Sequence, residues 1–164
     1  MELFLMRHGI AGPGTPPAMV DEDRRLTPEG KRRIRLIAMR LRSLRITFDL
    51  ILSSPLVRAR QTAAIVAKEL GIDAVETTPS LSPGRSPDDI LRLLRTLAPC
   101  PDALLLIGHE PLLHESASFL LSGKKDLQIV LKKGGLIKIV MEPPFGPPGA
   151  TLDLLLSPRV LLRK

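Results

Sequence analysis

Short apolar runs alternate with segments of helical period along most of this chain, and each of the first three helical segments is announced by Thr-Pro or Ser-Pro. "ELFLM" (2–6), "FDLILSS" (48–54) and "ALLLIG" (103–108) have the length and composition of buried strands. Thr27-Pro28-Glu29 supplies an N-cap, a proline suited to the first helical position and an acid that complements the N-terminal dipole, predicting a helix to about Arg45. Ser54-Pro55 repeats the signal and predicts a helix through Leu70, stopped by Gly71. Ser86-Pro87-Asp88-Asp89 opens a third helix ending near Ala98, and "PLLHESASFLL" (111–121) reads as a fourth. A weak strand is expected at 74–76. The tail changes character, with "GLIKIVM" and "TLDLLL" reading as two strands joined by "EPPFGPPGA". The expected fold is therefore α/β, a mostly parallel central sheet flanked by helices on both faces, with a C-terminal strand pair. No internal repeat is visible, and the Pro-rich stretches are too short for linkers, so residues 1–164 read as a single domain.

That architecture restricts where chemistry can sit. In a parallel sheet every strand delivers its following loop to the same edge, and ligands bind at that carboxyl edge. Just past the first strand come Arg7 and His8, past the second come Ser53, Ser54 and then Arg58, and past "ALLLIG" comes His109. Two arginines and two histidines, distant in sequence, are thus expected on one rim. Arginine pairs suit phosphate dianions, because their planar donor forks match phosphate oxygens and keep their charge. A helix N-terminus beside Arg58 adds backbone N–H groups and a positive dipole end. A neutral histidine can act as a nucleophile, and a second, protonated one can neutralise oxygens in the transition state. Gly9 is expected to let the backbone approach a ligand closely. No set of Cys, His and carboxylates has the spacing of a metal site, so neither metal nor cofactor is expected.

The formal charge is +7, with twice as many Arg as Lys, which favours anionic partners. Nucleic acid is not among those expected, since the chain has no Trp or Tyr and four Phe, too few for a base-stacking platform. Much of the positive charge lies in "GKRRIRLIAMRLRSLR", where Ile34, Ile37, Ala38, Leu41 and Leu44 mark a buried stripe and the arginines a solvated face. No apolar run approaches a membrane span, and "MELFLMRH" lacks the parts of a signal peptide. With Cys100 as the only cysteine, a reducing, cytoplasmic setting is expected and the oligomeric state is left open.

Arg7-His8-Gly9 after an N-terminal strand, "RRLTPEG" before the first helix, "SSPLVRARQTA" around Arg58 and "GHEP" around His109 together resemble the histidine phosphatase superfamily, with its phosphoglycerate mutase-like fold. The resemblance covers about residues 3–112, and the C-terminal strands only by architecture. It implies that His8 is phosphorylated transiently, and that Arg7, Arg58 and His109 bind and polarise the phosphoryl group. Arg60 falls outside that set. The small size and "DRRLTPEG", with Asp23, Arg25, Leu26 and Thr27, look most like the SixA-type branch, associated with removing phosphate from histidine phosphotransfer domains of bacterial signalling proteins. The partner implied is such a phosphorylated protein or, alternatively, a small phosphoester. A non-catalytic module that recognises phosphorylated ligands is a further alternative. Many phosphomonoesterases of the superfamily carry an acid on the loop after the third strand. Here that stretch reads "TTPSLSPGRSPDDI", whose acids Asp88 and Asp89 look like helix-start residues. Asp21, Glu22, Asp23 and Glu110 are the remaining candidate proton donors, while His114 and Ser54 read as structural, Ser54 as an N-cap.

Overall fold

The computed structural model describes residues 1–13 and 21–163. The Gly- and Pro-rich loop expected after the first strand therefore lies in part, at 14–20, outside the described residues. In chain order the elements are β1 (Glu2–Arg7), α1 (Pro28–Ser43), β2 (Leu50–Ser53), α2 (Val57–Leu70), β3 (Val75–Thr77), α3 (Pro87–Thr96), β4 (Ala103–Gly108), α4 (Leu112–Ser122), β5 (Leu136–Met141), β6 (Ala150–Leu156) and α5 (Pro158–Leu161). Short 3-10 turns stand at Asp21–Asp23 and Pro79–Leu81.

One six-stranded sheet takes all the strands, in the order β3-β2-β4-β1-β5-β6. The first four are mutually parallel, and β5 runs antiparallel to both β1 and β6. The mixed sheet with its C-terminal pair is the architecture the sequence predicts. Central strands covered on both faces read as continuous apolar runs, which is why β1 and β4 lack polar alternation. Their period-2 geometry still sorts the side chains. Phe4, Met6, Leu105 and Ile107 pack with α1 and α2, whereas Leu3, Leu5, Leu104 and Leu106 pack with α3 and α4 on the other face.

The caps follow the local chemistry, with two shifts. Thr27 Oγ1 accepts the Gly30 N–H at 2.9 Å, and Pro28 opens α1. That helix stops at Ser43, short of the expected Arg45, because Arg45 turns left-handed with φ 58°. Ser54 does not cap α2 directly. Leu56 holds the cap position in extended backbone, so the helix opens three residues after Ser54. At α3, Asp89 Oδ2 accepts both the Ser86 N–H (2.9 Å) and the Ser86 hydroxyl (3.0 Å), so this acid is used in the capping box. Ser157-Pro158 repeats the cap-then-proline signal at α5, an element the sequence reading did not include.

The connections fix the site. From β1 the chain crosses by α1 to β2, on one side, and from β4 it crosses by α4 to β5, on the other. Between β1 and β4, where Arg7 lies level with Gly108, the crossovers diverge and leave a crevice at the strand ends. The loop after β1 is pressed onto the start of α1: Ile10 O accepts the Thr27 N–H at 3.0 Å, and a Cβ on Gly30 would collide with that same carbonyl. Alanine normally favours a helix over glycine by about 1 kcal/mol. Gly30→Ala should nevertheless destabilise the protein by about 1–3 kcal/mol, because a backbone oxygen must move. Urea unfolding reads this directly, and an unchanged or raised midpoint would contradict the contact.

Candidate active site

Arg7 ends β1, and its backbone is held on both sides by the turn before β5: Gly134 N–H donates to Arg7 O at 2.9 Å and Arg7 N–H to Gly135 O at 3.2 Å. Its Nη1 donates to Leu131 O at 3.0 Å, while Nε is buried without a partner among the described residues. His8 continues the ladder by donating its N–H to Gly108 O at 3.1 Å. Its ring Nδ1 lies 2.7 Å from Gly9 O. A carbonyl only accepts, so Nδ1 carries the proton and Nε2 keeps its lone pair. Arg58 Nε donates to that lone pair at 3.3 Å. His109, from the end of β4, completes the group with its ring centroid 5.0 Å from that of His8. The four residues expected on one rim are therefore brought together, and His8, Arg58 and His109 are all buried.

Gly9 is the exception among the expected site residues. A Cβ there would meet Ile34 Cγ1 at 2.7 Å and Leu26 Cδ2 at 3.1 Å, so the absent side chain serves packing against α1 rather than approach to a ligand. Its backbone still matters to the site, because Gly9 O orients His8 and Gly9 N–H donates to Thr62 Oγ1 at 3.1 Å. Thr62 in turn donates to Arg58 O at 2.7 Å, tying the His8 loop to the turn that carries Arg58. Ser54 is likewise more than a cap: its Oγ lies 2.8 Å from His109 Nε2 and accepts the Leu56 N–H at 3.3 Å. His109 Nδ1, like Arg7 Nε, is buried with no partner among the described residues.

The crevice is a cleft of about 280 Å³ walled by these side chains together with Asp21, Arg24, Pro83, Glu110 and Lys133. The sequence reading missed Arg24 and Lys133, whose approach depends on loops arriving from elsewhere. Asp21 closes over Arg58: its carboxylate accepts from Arg58 Nη2 at 2.8 Å and its carbonyl from Nη1 at 2.6 Å. A further bond from Arg24 Nη1 reaches Asp21 at 2.9 Å. Arg24, then Arg58, hold this carboxyl below its ordinary range, so it is ionised at neutral pH and has no proton to give. Glu22 and Asp23 line a neighbouring, larger depression of about 460 Å³ with Arg60, outside the histidine cleft. Of the four candidate acids Glu110 remains, in the cleft wall and 2.6 Å from His114 Nδ1. Among the described residues, no three Cys, His or acidic side chains gather as metal ligands would.

Burial is the main reason that His8 resists protonation, with its pKa lowered to about 4; Arg58, Arg7 and Lys133 add to this, and only the Gly9 carbonyl opposes it. His109 is lowered to about 3, again by burial first and then by His8 and Arg58. The sequence reading required a protonated His109; with no anion bound, both imidazoles are neutral at pH 7. An entering phosphate dianion reverses the local field, and only then does His109 gain affinity for a second proton.

The unfolded chain takes up protons on these histidines near pH ~6.5, whereas the native fold refuses them until about 4 and about 3. The native state therefore loses stability as the pH falls from ~6.5 through that window, and regains it on return to neutrality. Two-dimensional NMR of ring-labelled protein should show both imidazoles neutral at pH 6, with His8 as the Nδ1–H tautomer. A histidine of either position titrating near its ordinary value would contradict the burial argument.

Residues 3–82 match the sequence model of the histidine phosphatase superfamily (branch 1). An uncharacterized protein of Picosynechococcus sp. is 43% identical over 139 residues, 84% of this chain and 83% of its own length. Among solved structures, the fold is similar to the protein histidine phosphatase SixA complexed with tungstate, with a TM-score of 0.87 and 26% identity, covering 98% of this chain and 99% of that one. It is also similar to a Nakamurella multipartitia protein assigned as phosphohistidine phosphatase SixA, with a TM-score of 0.77 and 28% identity over 96% and 95% of the two chains. On its sequence, its sheet order and the gathering of Arg7, His8, Arg58 and His109 at the strand ends, the chain belongs to the histidine phosphatase superfamily, in its SixA-type branch.

Proposed function

We propose that this phosphatase removes phosphate from phosphohistidine on a phosphotransfer signalling protein, through a covalent phospho-His8 intermediate and without a metal. The observation that carries the reading is the pinned tautomer of His8, whose unprotonated Nε2 accepts from Arg58 Nε at 3.3 Å in an arginine-lined cleft, a bond that gives way when phosphorus is attacked.

In the first step His8 Nε2 attacks phosphorus as the bond to the substrate nitrogen breaks on the opposite side. Arg7, Arg58 and His109 hold the equatorial oxygens as charge builds on them. The Arg58 donors now engaged by Asp21 are those a phosphate would claim, so substrate entry requires that carboxylate to yield. Water then attacks phospho-His8, releasing inorganic phosphate and restoring the lone pair on Nε2. Ser54 supports His109 throughout, since its hydroxyl can donate to a neutral ring or accept from a protonated one.

The leaving group is inferred from the lack, among the described residues, of an unengaged acid where an ester would need one: Glu110, in the cleft wall, is bonded to His114 Nδ1 at 2.6 Å. Pro83 is the residue that the loop after β3 contributes to the cleft, and Asp89 is engaged in the α3 capping box. An alkoxide leaves slowly without a proton, and general-acid help is worth about 10²–10⁴-fold. A phosphorylated imidazole can instead be protonated on its other nitrogen by solvent before the P–N bond breaks. Cys100, a free and exposed thiol, is compatible with the reducing cytoplasm where such signalling proteins work.

Two comparisons test this reading. A phosphohistidine-bearing phosphotransfer domain should exceed a small alkyl phosphate in kcat/KM by about 100-fold or more, and preference for the ester would overturn the substrate assignment. His8→Ala should lose at least about 10³-fold in kcat with its circular dichroism unchanged, and retained turnover would remove the covalent route.

A further inference from the structure

Beside the catalytic cleft, and joined to it through Arg7 and Lys133, runs an open groove of about 420 Å³. Its walls carry Arg33 from α1, Lys132 and Lys133 from the turn before β5, and Arg159 from α5, with no acid among them. These cations are without ion-pair partners among the described residues. The neighbours of Arg33 on α1 behave differently: Arg32 pairs with Glu29 at 2.8 Å and Arg35 with Glu69 at 2.8 Å. Like charges held together without counter-ions repel one another. The cost registers at Lys133, whose ammonium is pushed below its ordinary pKa by burial and then by Arg7. The depression that adjoins the cleft at Asp21 differs from this groove, since Glu22 and Asp23 share its lining with Arg60.

We infer that this groove is the docking site for an acidic face of the protein substrate, seating carboxylates that flank its phosphohistidine. The inference rests on the proposed activity and specifies how the partner is recognised. Its cations come from three separate elements, and Lys132 and Arg159 are exposed on the outer walls. A second phosphate on a small substrate would need convergent donors, whereas several surface carboxylates match a row of open ones. The groove is lined without acids, so the partner docks with its negative side over Lys132 and Arg159.

Charge reversal away from the reacting atoms provides the test. The double variant Lys132→Glu/Arg159→Glu leaves every residue of the catalytic cleft in place. At low salt its kcat/KM on a phosphohistidine-bearing phosphotransfer domain should fall by about 30-fold or more, and the wild-type loss of rate with added salt should flatten. Turnover of free phosphohistidine should change less than about threefold, which also reports an intact fold. Equal losses on both probes, or no loss on the domain, would overturn the docking site while leaving the activity established. A larger loss on a small bisphosphate than on the domain would overturn it too, making the occupant a second phosphate. If the wild type hydrolyses neither phosphohistidine probe, the functional reading itself fails, and docking fails with it.

Discussion

The 2.7 Å hydrogen bond from His8 Nδ1 to the carbonyl of Gly9 decides what the cleft can do. It chooses the tautomer, and with it which nitrogen faces Arg58 and the open space beyond. The bond is short-range, yet the position of its acceptor is not local. Gly9 sits where it does because Ile34 and Leu26 of the α1 side leave no room for a Cβ, and because Thr62 on α2 takes its N–H. Thr62 also binds the carbonyl of Arg58, so one hydroxyl couples the His8 loop to the residue whose guanidinium meets the His8 ring. Packing between α1, α2 and the sheet is thereby converted into ring orientation.

The electrostatic state of the cleft follows from the same burial. Four cationic side chains, Arg7, Arg24, Arg58 and Lys133, line the cleft with two imidazoles that desolvation keeps neutral. A site of this kind is suited to an anion: it presents fixed positive charge, an unprotonated ring nitrogen, and a second imidazole whose proton affinity an anion beside it would raise. Asp21 partly answers that charge in the free protein by binding Arg58 and Arg24. It is also more than half exposed, with 55% of its side-chain surface in solvent, so water can take its place on leaving.

Much of this was legible in the sequence because its signals are local. Apolar runs without polar alternation announce strands covered on both faces, Thr-Pro and Ser-Pro mark helix starts, and the strand-end rule places Arg7, His8, Arg58 and His109 together without any coordinates. The unread features are those set by contacts between distant segments. Ser54 looks like a cap until β2 and β4 bring it to His109. Thr62 lies four residues after Arg58, one helical turn along the same face, a spacing that could have flagged it. Nothing in "KKGG" says that Lys133 will face a cleft built from β1 and β4. Gly9 was read for the right requirement, close approach, but the neighbour is a core isoleucine rather than a ligand.

The proposed chemistry requires phosphorus to reach one particular atom. Rapid quenching of the protein with a phosphohistidine substrate, followed by mass spectrometry and ³¹P NMR of the trapped species at alkaline pH, locates it. The geometry predicts an acid-labile phosphoryl group on Nε2 of His8, formed and lost at rates that match turnover. Phosphate on His109, on Nδ1 of His8, or on no residue during active turnover would contradict it.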